Sequence, residues 1–188
     1  DANACLHRLY QRTQLQNTFH IQNLALIEGG LKPKILTYAE MIKEFIDHRE
    51  KVVFRRTEYD LNKARARLHI IEGLLIAIAN IDAIVQLIKK SQDKSEASEK
   101  LQIQYSLTET QANEILKMPL SRLTGLQIQR LEEEKQELFI QIEELQQILE
   151  DRDQRLDIIK TETLELADQY GDERRSEIQE DYNEDVGF

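Results

Sequence analysis

The chain has 188 residues, of which 32 % are charged and 40 % hydrophobic, and this excludes both a membrane-spanning protein and a wholly disordered one. Six glycines and two prolines are about half or less of average usage, so long helices with few turns are expected. The net charge of −10 argues against a chain that coats DNA uniformly. The single cysteine, Cys5, allows no internal disulfide, and there is no signal pattern or long apolar run. We therefore expect a cytoplasmic protein without membrane contact.

The N-terminal part of the chain differs in pattern from the rest. Residues 6–15 have the apolar spacing of a short helix. Two short apolar segments, residues 19–27 and 34–37, lie on either side of turn residues that include Gly29 and Gly30. This pattern predicts a β-hairpin, which needs a neighbour for stability because two strands alone are marginal in water.

A capping box marks the start of the first long helix, because Thr37 is followed three residues later by Glu40. Apolar residues then recur in steps of three and four, as in a coiled-coil seam: Leu61, Ala64, Leu68, Ile71, Leu75 and Ile78. From residue 74 the chain is apolar on every side, which requires burial on several faces. The seam is therefore expected to lead into a small globular core near residue 74.

Residues 91–100 hold one small apolar residue in ten, which predicts a loop or linker. Thr108 and Gln111 form a second capping box, and the helix that follows should stop near Met118 because Pro119 disfavours helix in the preceding residue. The second long helix is predicted without interruption to Tyr170. Its seam residues are Leu131, Leu138, Ile142, Leu145, Leu149, Leu156, Ile159 and Leu166, with polar residues at the remaining seam positions.

Two seams joined by a compact insert predict a mainly α fold, a long antiparallel coiled-coil hairpin with a small globular helical knob and a small β-hairpin at its base. The expected divisions are residues 1–36 with the hairpin, 37–73 and 131–170 as coiled-coil helices, 74–130 as the knob, and 171–188 as a return segment and acidic tail. A knob of under sixty residues is small for an independent core. Pairing with a second copy would bury more surface, and coverage by the neighbouring helices is the alternative.

The sequence offers no pattern typical of catalysis, cofactor binding or metal binding. The four histidines are scattered, and no phosphate-binding glycine motif occurs. No nucleophile lies beside a base, so we expect no catalytic, cofactor or metal residues in this segment. Basic residues cluster at the base of the predicted arm, and if DNA is met it would be through phosphate contacts of Arg8, Arg12, Lys32 and Lys34. Ordinary charge pairing on helix faces is the alternative interpretation of the basic residues.

Four stretches closely resemble the A-subunit family of bacterial DNA gyrase and topoisomerase IV, the type IIA DNA topoisomerases. They are LYQRTQLQNTFHIQNLALIEGG from residue 9, KILTYAEMIKEFIDHREKVVFRRTEYDLNKARARLHIIEGLLIAIANID from residue 34, LTETQANEILKMPLSRLTGL from residue 107 and QYGDERRSEI from residue 169. The combination of RRT, KARARLHIIEGL and IANID is specific, whereas RLTGL alone would be weak. The stretches occur in the family's order and extend over nearly the whole chain.

The resemblance implies the end of the tower region, the coiled-coil arm and the exit gate of the family. In these proteins two knobs meet on a two-fold axis as the exit gate, through which the transported DNA duplex leaves. The implied homodimer contacts are Met118, Leu120, Leu123, Thr124 and Leu126. The alternative is a non-enzymatic coiled-coil spacer or adaptor that binds a partner protein.

The resemblance also implies that the chemistry of the parent enzyme lies elsewhere. The family's cleavage tyrosine belongs to an upstream segment that this chain lacks, so no tyrosine here is assigned a catalytic role. ATP and Mg²⁺ are implied for the parent holoenzyme with its ATPase B-type subunit, and no cofactor is expected in this segment. DNA is expected as a partner mainly through the parent protein.

Overall fold

The computed structural model describes residues 2–119 and 125–178, and it confirms a mainly helical fold with one small sheet. The described elements are α1 (Ala2–Arg12), β1 (Leu24–Ile27), β2 (Lys32–Ile35), α2 (Tyr38–Ala79), α3 (Ile81–Lys90), α4 (Lys94–Tyr105), α5 (Glu109–Lys117), α6 (Gly125–Glu150) and α7 (Arg152–Tyr170). The chain divides into two compact units, Asp1–His48 and Arg49–Phe188, with α2 belonging to both.

The first unit contains the predicted hairpin. Strands β1 and β2 pair antiparallel, with Leu24 opposite Ile35 and Ile27 opposite Lys32. The turn between them is left-handed, with φ of 72° at Gly29 and 92° at Gly30, values that glycine adopts without steric cost. The predicted N-terminal helix is also present, although it begins earlier and ends earlier than the sequence pattern indicated.

The predicted capping box opens α2. The Thr37 backbone N–H donates to Glu40 Oε2 at 2.8 Å, and the Glu40 N–H donates to Thr37 Oγ1 at 3.3 Å. The hydrogen bond from the Thr37 backbone, aided by Lys34, lowers the pKa of Glu40 to about 2. The carboxylate therefore stays ionised at neutral pH, where it satisfies a backbone donor that the helix itself leaves unpaired.

In the second unit, α2 packs antiparallel against α6, as the two seams predicted, and it also contacts α7. Leu61 and Ala64 of α2 form a buried cluster with Ile142 of α6. Arg67 follows Leu61 and Ala64 in α2, and it pairs at 2.6 Å with Glu134, which precedes Ile142 in α6. The later residue of α2 thus contacts the earlier residue of α6. Arg56 of α2 pairs with Glu162 of α7 at 2.8 Å. The seam is not closed along its whole predicted length, because Leu166 is 57 % exposed.

The prediction of a loop over residues 91–100 is wrong. Helix α4 begins at Lys94 after the N-cap Asp93, whose side chain accepts a hydrogen bond from the Glu96 N–H at 2.8 Å. Ala97 and Leu101, one turn apart on this helix, are buried in the core of the second unit. The helix was missed because its main apolar anchor, Leu101, lies just beyond the polar window that suggested a linker.

The prediction of one uninterrupted second helix is also wrong. Helix α6 ends at Glu150 and α7 begins at Arg152, with Asp151 between them in an extended conformation at φ −100° and ψ 117°. The Asp151 side chain caps α7 by accepting a hydrogen bond from the Asp153 N–H at 2.9 Å. The heptad pattern runs through this point, so apolar spacing alone did not reveal the break.

Candidate functional site

The predicted knob contains a core of its own within the second unit. It is built from the end of α2 together with α3, α4, α5 and the residue that precedes the cap of α5. The buried members of this core are Leu74, Ala77, Ile84, Leu101, Leu107, Ala112 and Ile115. The first of these, Leu74, lies where the sequence predicted that the seam would lead into a globular core.

A small polar network holds α5 against α2. The Thr108 N–H donates to the side-chain oxygen of Gln111 at 3.0 Å, which completes the predicted capping box. The Gln111 amide nitrogen in turn donates to the His69 carbonyl at 2.7 Å, and the His69 ring contacts Thr108 Oγ1 at 2.7 Å. The same capping residues therefore also fix the position of α5 on α2.

Two of the five predicted dimer contacts lie in the described part of the knob region. Met118 is partly buried and packs against the knob core, and Leu126 in the first turn of α6 is 62 % exposed. The other predicted contacts, Leu120, Leu123 and Thr124, lie outside the described residues. Helix α5 ends at Lys117, before the residue that precedes Pro119, as predicted.

An exposed apolar residue of the knob lies just beyond the predicted loop, where no helix was expected. Ile103 of α4 is 84 % exposed, the largest exposed fraction of any large apolar side chain described in the second unit. It lies two residues from the buried Leu101, on a different side of the same helix. Had the helix been recognised, helical periodicity would have separated these two residues.

Charged clusters that were not predicted from the sequence join the helices of the arm. Glu162 of α7 accepts hydrogen bonds from both Arg56 and Arg49 of α2, and the bond from Arg56 is the main reason that its pKa is lowered. Similarly, Arg67 lowers the pKa of Glu134. Each cluster favours the ionised form of its carboxylate and links α2 to the helix opposite.

A third cluster lies beside the break between α6 and α7. Glu50 accepts hydrogen bonds from Arg152 Nε and Arg155 Nη2, both at 3.1 Å. Burial of Glu50 would raise its pKa, but the hydrogen bonds from the two arginines outweigh this effect and lower it. These contacts join residues more than one hundred positions apart, so no local pattern of residues indicates them.

The four candidate phosphate contacts all lie in the first unit. Arg8 and Arg12 are exposed one turn apart on α1. Lys32 and Lys34 of β2 have acidic partners, at 3.5 Å from Glu28 and 2.9 Å from Glu40. Exposed pairs of this kind are weak and are screened by salt, so both lysines remain accessible to an anion.

Residues 2–119 and 125–178 contain no group of three or more histidine, cysteine, aspartate or glutamate side chains that could hold a metal ion. Over the same ranges no single helix has the length and apolar content needed to cross a membrane. Only α2 and α3 taken together reach that length and content, and they are bent by 90°.

Comparison of the sequence with known proteins identifies its family. A profile of the family described as the A subunit of DNA gyrase/topoisomerase IV matches residues 1–164. The DNA gyrase A subunit of Brachyspira hyodysenteriae is 45 % identical over 173 residues, which are 92 % of this chain and 20 % of that protein. The DNA gyrase A subunit of Helicobacter pylori is 44 % identical over 177 residues, 94 % of this chain and 21 % of that protein.

The relatives share a name, and the matched segment is a similar share of each of them. A third, the DNA gyrase A subunit of Fibrobacter succinogenes, is 46 % identical over 175 residues, 93 % of this chain and 19 % of that protein. The chain thus spans about one fifth of the length of the curated relatives that it matches. With a family profile over most of its length and this identity to relatives, the chain belongs to the A-subunit family of DNA gyrase and topoisomerase IV.

Proposed function

We propose that this chain forms the coiled-coil arm and exit gate of a type IIA DNA topoisomerase, within its gyrase-type A subunit. Two copies meet through their knobs and hold the dimer together while the DNA gate opens. Transient separation of the knobs then releases the transported duplex. The role is mechanical, and the chain itself is expected to cleave no DNA.

One observation carries this proposal: an antiparallel helix pair leads into a small core that leaves large apolar side chains exposed. Ile76, Ile103 and Leu126 are exposed on α2, α4 and α6 of the second unit. Exposed apolar residues on a small core are suited to pairing with a second copy, because pairing removes them from water. Family membership supports a two-fold dimer over an unrelated partner.

The parent protein supplies the remaining parts of the proposed reaction. We assign DNA cleavage, ATP use and Mg²⁺ binding to other segments of the parent protein and to an ATPase B-type subunit. Arg8, Arg12, Lys32 and Lys34 are proposed to contact DNA phosphates, since all four are exposed cations of the first unit.

Replacing Leu126 with aspartate is expected to weaken or abolish the dimer without unfolding the chain. Leu126 is exposed and lies in the first turn of a helix, where an acidic residue is favoured by the helix dipole. An aspartate at a paired apolar surface must lose its hydration, at a cost of a few kcal/mol. Sedimentation equilibrium over a range of protein concentrations measures the change in association.

The matched control is Leu164→Asp on α7, since Leu164 is 60 % exposed but lies away from the knob. We expect the wild-type chain and this control to associate equally. A wild-type chain that remains monomeric at every concentration would refute the gate proposal. Equal loss of association in both variants would favour the spacer or adaptor alternative, with contacts along the arm.

A further inference from the structure

The carbonyls left unpaired at the break between α6 and α7 are bound by the side chain of Arg155. An uninterrupted helix would pair the carbonyls of Ile148 and Leu149 with backbone N–H groups four residues later. Instead, Arg155 Nη1 donates to both carbonyls, at 3.0 and 2.8 Å, and also to the Asp151 carbonyl at 3.2 Å. The guanidinium group is thus inserted where the helical hydrogen bonds are missing, which is a recognised cause of helix interruption.

The same arginine connects the break to the opposite helix. Its other terminal nitrogen, Nη2, donates to Glu50 Oε1 at 3.1 Å, and its guanidinium carbon lies 5.7 Å from the centre of the Phe54 ring. The Arg155 side chain is 12 % exposed and that of Glu50 18 % exposed. A charge-assisted hydrogen bond with this little exposure is stronger than the exposed ion pairs elsewhere on the arm.

Nothing in the local sequence forces the chain to break here. Residues 145–155 contain neither proline nor glycine, so a continuous helix is sterically open to them. The interrupted form also carries a cost, because Arg155 Nε is buried and finds no hydrogen-bond partner among the described residues. A continuous helix is therefore a sterically possible alternative for this segment.

We propose that Asp151 is a joint with two forms, interrupted and continuously helical, and that the contact between Arg155 and Glu50 selects the interrupted form. When Glu50 releases Arg155, the Arg152 and Asp153 N–H groups can bond to the Ile148 and Leu149 carbonyls. Helices α6 and α7 then form one continuous helix, and the direction of α7 relative to α6 changes. The joint is a property of the arm alone, and only its use in opening a gate depends on the proposed function.

The test compares Arg155→Gln and Glu50→Gln with the wild-type chain by nuclear magnetic resonance. We expect the Asp151 Cα chemical shift to move from an extended toward a helical value in both variants. We also expect amide hydrogen exchange at Arg152 to slow by about tenfold or more, because this N–H gains a helical partner. A variant that merely loosens the fold would speed exchange at this amide.

The control is Arg67→Gln, which removes a cross-helix pair with Glu134 far from the break and should leave Asp151 extended. If the Asp151 chemical shift and the Arg152 amide exchange are unchanged in both Arg155→Gln and Glu50→Gln, the proposal is overturned. If Arg155→Gln fails to fold, Glu50→Gln decides the question, because it keeps the arginine that caps α6. Unfolding of both variants would also overturn it, since the contact would then maintain the fold rather than select between two folded forms.

Discussion

Replacing Leu101 with alanine is expected to lower the free energy of unfolding by about 2–5 kcal/mol. Leu101 is completely buried in the knob core, where it packs with residues of α2, α3 and α5. Truncation removes apolar contacts and leaves a cavity that the surrounding helices fill only in part. Urea denaturation followed by circular dichroism, at one fixed protein concentration, measures the loss.

The control for this substitution lies on the same helix. Ile103→Ala removes a side chain of similar size that is 84 % exposed, and at a protein concentration low enough for the chain to be monomeric we expect a change within about 0.5 kcal/mol. Because both substitutions place alanine in α4, helix propensity contributes little to the difference between them. Equal effects of the two substitutions would show that α4 is not packed in the core as described.

Replacing Gly73 with alanine is expected to cost about 1–3 kcal/mol, because the added methyl group has no room. A Cβ atom at this position would lie 2.7 Å from Gln111 Cγ and 2.8 Å from Gln111 Cβ. Gln111 cannot easily yield, since it is buried and bonded to Thr108 and the His69 carbonyl. Thermal unfolding monitored by circular dichroism reports the loss as a lower Tm.

Two further variants isolate the contact between Gly73 and Gln111. Gly125→Ala, at the start of α6, meets no atom of the described residues within 4 Å and should be neutral or stabilising by up to about 1 kcal/mol. Adding Gln111→Ala to Gly73→Ala should cost less than the two single substitutions together, since Gln111 is the group that clashes. Additive effects would mean that Gly73 is needed for another reason.

Local signals predicted much of the fold. The hairpin turn at Gly29 and Gly30, and the capping boxes at Thr37 and Thr108, involve residues within a few positions of each other. Such patterns are readable from the sequence because the contacts that they make are equally short-range. The long apolar seams were also readable, since helical periodicity accumulates over many residues.

The two errors have different physical causes. Helix α4 was missed because a window of polar residues concealed the spacing of Ala97 and Leu101, although Asp93 and Glu96 carried a capping signal. The break at Asp151 could not be read from the sequence, because Arg155 reaches Glu50 from 105 positions away. The signal for α4 is thus local, whereas the break depends on a tertiary contact.

The dimer contacts stay predictions. Met118 and Leu126 were predicted from the resemblance, and the structure shows only that Met118 packs against the knob core and that Leu126 lies in the first turn of α6. Ile103 was not identified, because the exposed face of a helix cannot be found where no helix is expected. The polar network of His69 with Thr108 and Gln111 required the packing of α5 on α2, which local sequence does not specify.

The central claim, that two copies pair through their knobs, is tested most directly by distances between the copies. Two variants are prepared in a Cys5→Ser chain, and each carries one spin label. The label is attached to Lys117→Cys at the end of α5 in one variant and to Asp157→Cys in α7 in the other. Both positions are exposed on described helices. Pulsed electron paramagnetic resonance on the dimer should give a short distance between the two labels at residue 117 and a longer one at residue 157. A shorter distance at residue 157, or no interaction between copies at either position, would contradict pairing through the knobs.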